Sequence, residues 1–197
     1  MDNERDNIMK QELFDAHMIG DGSLIYRHKN RDKHPSFSMC NKQEEYLIWL
    51  STQMEIFKER PIWCRSAIDK RTGNLSECYY IIALQRPNFS EEYQRWYSNE
   101  GKKDIPLDIK VSKEFLLHWY LDDGSLATHG GIYFAVDSYS ISRIEHLKNK
   151  LQVLVDCKIG IHKNGKGFRL YFAKKYREKF FNFIGPCPIK SYEYKWN

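Results

Sequence analysis

The sequence predicts an α+β fold built from a tandem αββαββα repeat, and three observations lead to that prediction. The tetrapeptide Asp-Gly-Ser-Leu occurs at residues 21–24 and again at residues 123–126. An apolar stretch of helical length precedes each copy. The residues after each copy then show strand-type and helix-type spacing of apolar residues in the same order. Such a repeat predicts a pseudo-twofold architecture with two antiparallel sheets side by side.

The first half is predicted to contain two helices and four strands after its apolar motif segment. Apolar residues recur at helical spacing between Leu47 and Phe57, which predicts a helix over residues 43–57. The turn residues 72–74 separate two strand-like segments. In chain order, the elements predicted after the motif are a short strand, a basic loop at 27–33, strand 36–40, helix 43–57, strands 63–70 and 77–86, and helix 91–97.

The second half repeats this order. Asn164 and Gly165 form a turn signal between two strand-like segments. The polar segment 101–108, which contains Pro106, is the linker between the halves. We therefore predict halves at 1–104 and 105–197 within one compact pseudo-symmetric domain. The elements predicted after the second motif are strand 131–137, helix 140–155, strands 157–163 and 167–173, and helix 175–184.

The composition indicates a folded, basic protein. Of 197 residues, 42% are hydrophobic, enough to form a packed core. Residues 140–197 carry 13 lysines and arginines against four acids, whereas residues 1–139 carry 18 against 22. This imbalance favours an anionic partner, nucleic acid first, with a solvated basic face as the alternative.

Cysteine usage and hydropathy bear on the cellular setting. The five cysteines are widely spaced and form no Cys-x-x-Cys pair, so we expect free core thiols and a reducing compartment. No secretion signal and no apolar run of about 20 residues is visible, so no membrane contact is predicted. These features predict an intracellular protein, in the cytoplasm of a bacterium or phage host, or in an organelle.

Asp21 and Asp123 each lie at the end of a predicted helix, 102 positions apart. An acid there opposes the helix macrodipole, at a cost of roughly 0.3–1 kcal/mol. The same helix end offers unpaired carbonyl oxygens, and carboxylate and carbonyl oxygens together suit Mg²⁺. The acids therefore predict a cation site, with a turn that binds nothing as the alternative.

The two segments resemble the paired motif of the LAGLIDADG homing endonucleases, in the single-chain branch related to the yeast mitochondrial omega-intron enzyme. The likeness lies in Phe-Asp-Ala-His-Met-Ile-Gly-Asp-Gly at 14–22 and Leu-Leu-His-Trp-Tyr-Leu-Asp-Asp-Gly at 116–124. Ile19 and Leu121 depart from the consensus aspartate two places before the acid. The resemblance implies a monomer that makes metal-dependent double-strand breaks in a long, asymmetric or pseudo-palindromic DNA target, and an intron-encoded origin.

Two further segments match that branch, Gly-Lys-Lys-Asp-Ile-Pro at 101–106 and Ser-Tyr-Glu-Tyr-Lys-Trp at 191–196. The resemblance implies that Lys103 and Lys195 lie beside the metal-bound water. Lys102 competes with Lys103 for the first role, and a solvated surface lysine is the alternative for each. Asp21 and Asp123, with the carbonyls of Gly20 and Asp122, would hold Mg²⁺ for phosphodiester hydrolysis.

The sheets are expected to supply DNA specificity, because a two-stranded ribbon fits the major groove. Strand alternation and the basic loops select nine candidate DNA contacts. They are Arg27, His28, Lys29, Arg65, Arg71, Lys158, His162, Arg169 and Tyr171. His17 and His118 are predicted to pack at the interface of the motif helices. The remaining aromatic residues considered are assigned to the core, namely Trp49, Tyr79, Tyr80, Phe134 and Phe180.

Two other functions fit the same fold. An RNA-splicing maturase would keep the basic surface without needing the acids or lysines, and so would a DNA-binding regulator that no longer cleaves. The presence of Asp21, Asp123, Lys103 and Lys195 favours the endonuclease.

Overall fold

The computed structural model describes residues 10–28, 33–68, 73–98, 100–165 and 167–197. Its elements confirm the repeated αββαββα order. The first set is α1 (Gln11–Ile19), β1 (Ser23–Ile25), β2 (Ser36–Asn41), α2 (Glu44–Gln53), β3 (Ile62–Ile68), β4 (Leu75–Ile82) and α3 (Pro87–Trp96). The second set is α4 (Lys113–Asp123), β5 (Gly124–Leu126), β6 (Ile132–Ala135), α5 (Ile141–Val155), β7 (Ile159–Asn164), β8 (Gly167–Phe172) and α6 (Arg177–Ile184). Short 3₁₀ turns cover Glu55–Phe57, Lys174–Tyr176 and Lys190–Lys195.

The strands form two four-stranded antiparallel sheets with the same topology. The first sheet has the order β1-β2-β4-β3, and the second has the order β5-β6-β8-β7. In the first sheet Met39 pairs with Ile81, which pairs with Ile62. In the second, Phe134 pairs with Leu170, which pairs with Ile161. Paired residues share a sheet face, so these apolar rows define the inner face of each sheet.

The main departures from the predicted boundaries have local causes. The helix predicted over 43–57 ends at Gln53, because Met54 is extended with φ −122° before the turn Glu55–Phe57. The helix predicted over 91–97 begins earlier, at Pro87. Proline is favoured at a first helical position, where its missing N–H costs nothing. α5, with 15 residues, is the longest described helix, and no described helix could span a membrane.

The chain packs into two compact units that do not follow the chain order. One holds residues 21–93, and the other holds residues 11–20 together with 94–197. The first motif helix, α1, therefore belongs to the same unit as the second motif helix, α4. The division of the repeat at residue 104 stays a prediction, since these units reflect packing rather than duplication.

Aromatic side chains fill the core of each unit. In the first unit the Phe37 ring stacks on Phe57 at 5.5 Å and contacts Phe89 at 6.4 Å. In the second unit the ring of Phe134 lies 4.3 Å from that of Trp119 and 6.0 Å from that of Phe180. Phe134 and Phe180 are fully buried, which confirms their assignment to the core.

The prediction of free core thiols is wrong for Cys40 and Cys78, which are not free, and for Cys64, which is not in the core. Cys40 on β2 and Cys78 on β4 form a disulfide with a Cα–Cα distance of 6.4 Å. Cysteine spacing along the chain could not reveal this pair, because the register of β2 with β4 brings together residues 38 positions apart. Cys157 is a buried free thiol as predicted, whereas Cys64 is exposed.

Replacement of Phe134 by alanine should lower the free energy of unfolding by about 3–5 kcal/mol, because it empties the centre of a fully buried aromatic cluster. Val153→Ala is the control, since Val153 is 84% exposed and its truncation removes almost no buried surface. Urea denaturation of both variants measures the difference. Equal losses in the two variants would contradict this packing account.

Candidate functional site

The carboxyl end of α4 is the best-defined part of the candidate site. α4 is capped at its start by Ser112, whose hydroxyl accepts from the Phe115 N–H, and it ends at Asp122-Asp123. The Asp122 side chain is fully buried and the Asp123 residue is half-buried. Two acids at the negative end of a helix dipole create a local excess of negative potential.

Lys195 lies on this helix end. Its ammonium donates to the carbonyl oxygens of Tyr120 at 3.2 Å, Leu121 at 2.6 Å and Asp122 at 3.4 Å. Lys195 is 8% exposed, and the Tyr120 hydroxyl donates to its main-chain oxygen at 2.5 Å. The 3₁₀ turn Lys190–Lys195 thus places a buried cation against the last carbonyls of α4, the end of a helix where carbonyl oxygens need donors from elsewhere.

The carboxyl end of α1 has a different set of donors. The buried Tyr139 hydroxyl donates to the Ile19 carbonyl at 2.8 Å, and the Lys103 ammonium donates to the Gly20 carbonyl at 3.5 Å. Burial raises the pKa of Tyr139 well above its ordinary value, and the charge of Asp123 raises it further. Tyr139 therefore stays a neutral donor beside the negative end of the helix.

The structure distinguishes the two candidate lysines of the linker. Lys103 is half-buried and its ammonium contacts the end of α1. Lys102 is exposed, and its main chain pairs with Ser98: its N–H donates to the Ser98 hydroxyl and its carbonyl accepts from the Ser98 N–H. The alignment that selects Lys103 is consistent with this geometry, although its catalytic role stays a prediction.

A buried hydrogen-bonded chain joins the two motif helices. His17 Nδ1 lies 2.9 Å from Asp122 Oδ2, and His17 Nε2 lies 2.9 Å from His118 Nδ1. Both histidines are buried, as predicted for packed residues. A neutral His17 that donates to the carboxylate can accept from the His118 Nδ1–H, so both ring nitrogens of His17 have a hydrogen-bond partner.

Gly20 is needed for this close approach. A Cβ atom at residue 20 would lie 2.5 Å from Asp122 Oδ2 and 2.6 Å from Asp122 Cβ. The buried carboxylate thus occupies the space that any larger residue would take. The sequence predicted a role for the Asp122 carbonyl but not for its side chain, whose partner is 105 positions away.

Asp21 lies in the other unit, directly after Gly20 in the chain. It is exposed and borders a cavity of about 390 Å³ over the outer face of the first sheet. Arg65 lines the same cavity, as its predicted outward orientation requires. Other lining residues are Ser23, Ser38, Trp63 and Tyr80. Tyr80 is therefore an outer-face residue, and its assignment to the core is wrong.

The remaining candidates near the first sheet lie in or beside loops. The Arg27 guanidinium lies 5.9 Å from the centre of the Trp63 ring, within cation–π distance, and His28 is exposed. Lys29 and Arg71 lie outside the described residues.

In the second sheet, the residues predicted to face outward do so. His162 pairs with Arg169, and Tyr171 pairs with Tyr133, in rows that alternate with the buried inner face. Lys158 is exposed just before β7 begins. Tyr133 also faces outward and was not among the predicted contacts, although its place between the buried Ile132 and Phe134 is the alternation that marks an outward residue.

The oxygen donors at the helix ends fit a divalent cation. Among the described residues, no three or more His, Cys, Asp and Glu side chains lie together as a metal-binding group. Mg²⁺, however, is usually held by one or two carboxylates and completed by water and substrate oxygens. In the unit that holds both motif helices, the Asp123 carboxylate and the carbonyls of Gly20 and Asp122 are donors of that kind, and Asp21 is a further carboxylate next to Gly20 in the chain. Magnesium binding by these groups stays a prediction.

Lys195→Met should destabilise the protein by about 1.5–3 kcal/mol, because a charged donor to three main-chain carbonyls is lost from a buried position. Lys103→Met, at a half-buried residue whose ammonium lies 3.5 Å from the Gly20 carbonyl, should cost less than about 1 kcal/mol. Chemical denaturation of the two variants compares them directly. Similar losses would show that Lys195 does not stabilise the end of α4.

Comparisons with known proteins agree with this geometry. The chain is 25% identical over 194 residues to the cytochrome b mRNA maturase bI2 of Debaryomyces hansenii, covering 93% of this chain and 72% of the relative. The structure of the homing endonuclease I-WcaI bound to its DNA recognition sequence matches with a TM-score of 0.82 and 19% identity, covering 95% of this chain and 85% of that one. The homing endonuclease I-GzeII in complex with its DNA target matches with a TM-score of 0.52 and 13% identity, covering 95% and 87%.

The two structural matches show the fold. The family model for LAGLIDADG DNA endonucleases matches residues 16–180, which include most of the first motif segment, all of the second and the first half of α6. Since this match covers most of the chain, the protein belongs to the LAGLIDADG DNA endonuclease family.

Proposed function

We propose that this protein is a site-specific endonuclease that cuts both strands of a long double-stranded DNA target with the aid of a divalent cation. The observation that supports this most is the matched ending of the two motif helices. An acid follows or ends each helix, and a lysine ammonium contacts its carbonyl oxygens. Neither a maturase nor a DNA-binding regulator needs this combination of groups.

In this proposal Asp21 and Asp123, with the carbonyls of Gly20 and Asp122, hold Mg²⁺. When bound there, the cation polarises the scissile phosphodiester and favours ionisation of the attacking water. The protein's own contribution is to keep these oxygens fixed. The buried pairing of Asp122 with His17 and the donation from Tyr139 to Ile19 restrict movement at the two helix ends.

The two lysines have different environments, so we assign them different roles. The Lys195 ammonium is committed to the end of α4, where it fixes the Asp122 carbonyl and offsets the negative helix end. Lys103 is half-buried and its ammonium lies 3.5 Å from the Gly20 carbonyl at the end of α1, a position suited to stabilise charge that develops on the phosphate in the transition state.

The outer faces of the two sheets are the proposed DNA contacts. I-WcaI and I-GzeII carry DNA in the structures that this chain resembles. The outer faces present Arg65 in one sheet and His162, Arg169 and Tyr171 in the other. Because these residues differ between the sheets, the target should be asymmetric or pseudo-palindromic. One chain supplies both acids, so a monomer is sufficient for the reaction.

An intron-encoded origin and a splicing role form the second candidate. The relative from Debaryomyces hansenii is an mRNA maturase, and this likeness is the observation that favours RNA binding. A protein with both activities would use the same fold for two nucleic acids. Assays of cleavage and of intron splicing with one preparation separate the two functions.

Asp21→Asn and Asp123→Asn should each abolish Mg²⁺-dependent double-strand cleavage while retaining DNA binding. Asparagine keeps the shape of the side chain but loses the charge that holds the cation, and it reduces repulsion against phosphate. The amide also relieves the unfavourable dipole interaction at each helix end by up to about 1 kcal/mol, so both variants should be at least as stable as the parent. A target plasmid scored for nicked and linear DNA, beside a gel-shift measurement, tests this.

Asp156→Asn is the matched control, because Asp156 is an acid on the surface whose partner is Lys179. It should cleave like the parent. Ca²⁺ should support binding with little cleavage, since its larger and looser coordination shell positions water poorly. Full linearisation by either active-site variant would show that these acids are not the metal site. Loss of binding together with cleavage would make them structural.

Lys103→Met should slow cleavage by about 10²-fold or more with little change in target affinity, as expected for a charge that acts in the transition state. Lys102→Met, one position away and exposed, should cleave at the parental rate. Single-turnover cleavage and equilibrium binding under the same conditions give the two quantities. The reverse result would place the role on Lys102, and two normal rates would reject the proposed lysine.

A further inference from the structure

Four rings form one cluster on the outer face of the second sheet. We call Tyr133, Tyr171, His162 and His129 the tyrosine–histidine cluster. Tyr171 lies on the central strand β8, with its ring 4.8 Å from that of Tyr133 on β6 and 4.4 Å from that of His162 on β7. The His129 ring lies 5.9 Å from that of Tyr133, and its Nε2 atom lies 3.4 Å from the Tyr133 hydroxyl. The cluster therefore spans three adjacent strands.

Two glycines make room for these rings. A Cβ atom at residue 131 would lie 2.5 Å from Tyr171 Cε2, and one at residue 160 would lie 3.3 Å from His162 Nε2. The Tyr171 ring thus occupies space over the backbone at Gly131 that another residue would fill. Rings held in this way lose little side-chain freedom when they contact a partner, which makes them suitable for a specific interface.

The strand residues around the cluster are mostly uncharged. Among the strand residues described on this outer face, Arg169 is the one with a permanent charge. The other strand residues there are small or uncharged, namely Ser125, Ala135, Gly160, Asn164 and Gly167. Asp137 after β6 and Lys158 before β7 add one charge of each sign at the margin of the face, and the Asp137 carboxylate accepts from the Asn164 amide. Phosphate binding by itself favours lysine and arginine, so this composition indicates contacts with base edges rather than with the backbone.

Apolar and aromatic groups in the major groove recognise the C5-methyl group of thymine, which no other standard base of DNA carries. The alternative partner of an aromatic cluster is an unpaired base, which stacks on an open ring face. Here Tyr171 contacts a ring on each flanking strand, and both tyrosines are half-buried. The rings cover one another, and this favours contact with a duplex over stacking on single strands.

We propose that the tyrosine–histidine cluster reads thymine methyl groups in the half of the DNA target that the second sheet contacts. The inference rests on the proposed function, and it names the base chemistry that this sheet recognises. Removal of a contacted methyl group should weaken binding about fourfold, the effect of exposing one buried CH₂-sized group. Removal of several contacted methyl groups together should weaken binding further.

The test uses the full chain in Ca²⁺ and a duplex obtained by binding selection from a random DNA library. Footprinting of the parent and of Arg169→Gln identifies the half-site next to the second sheet. Deoxyuridine then replaces thymidine in one half-site at a time, which removes methyl groups without changing base pairing. We expect at least a fourfold loss of affinity for the half-site of the second sheet.

Variants of the cluster residues test whether the cluster causes this loss of affinity for the deoxyuridine half-site. Tyr171→Phe and Tyr133→Phe keep the rings and should keep the sensitivity to deoxyuridine. Tyr171→Ser should remove the sensitivity, so that thymidine and deoxyuridine duplexes bind equally. Tyr133→Ser serves the same purpose if Tyr171→Ser does not fold, as judged by circular dichroism.

Three results would overturn the proposal. The first is an unchanged affinity of the parent for the deoxyuridine half-site. The second is that the phenylalanine variants lose their sensitivity to deoxyuridine as fully as the serine variants do. That result would assign the effect to the tyrosine hydroxyls. The third is tighter binding of single-stranded oligonucleotides than of duplexes, lost in Tyr171→Ser, which would make the cluster a stacking surface. Absence of any duplex binding would reject the proposed function, and this inference with it.

Discussion

The constraint on which the second unit depends is the negative potential at the carboxyl ends of its two motif helices. Each helix leaves carbonyl oxygens without helical partners, and α4 adds two carboxylates at the same end. At the end of α4 the nearly buried Lys195 ammonium offsets this potential, because it donates to three carbonyl oxygens. At the end of α1 the Tyr139 hydroxyl and the Lys103 ammonium donate to the carbonyl oxygens. The linker, the loop before α5 and the final 3₁₀ turn are all placed by this need.

Buried polar pairs add a second requirement, because an ionisable group in the core is tolerated only when its partners are in place. Asp122 meets His17, and the buried Asp15 accepts from the Arg95 guanidinium at 2.5 Å and from the Lys110 N–H at 2.9 Å. Each pair joins segments that are distant in the chain. Such pairs give register to the packing of α1, whose residues Leu13–Ile19 are buried on all sides and offer no amphipathic face to orient it.

The sequence allowed the order of elements, the two sheets and the positions of both motif helices to be predicted, because hydrophobic periodicity and the repeated Asp-Gly-Ser-Leu are local signals. It did not reveal the pairing of Cys40 with Cys78 or of His17 with Asp122, since both depend on contacts between residues far apart in the chain. Tyr80 was misplaced because a tyrosine in an apolar run resembles a core residue, whereas the strand register puts it on the outer face with Trp63.

The same comparison explains why the site is asymmetric although the repeat is regular. Duplication conserves the order of elements, but each helix end is completed by groups from outside the repeat motif. At α4 the completing cation comes from the last residues of the chain, whereas at α1 it comes from the linker that joins the halves. Lys195 is nearly buried at the end of α4, whereas Lys103 is half-buried at the end of α1, so the two ammonium groups differ in their access to an approaching phosphate. In the proposed endonuclease, this difference in exposure would favour cleavage of the two strands in a defined order.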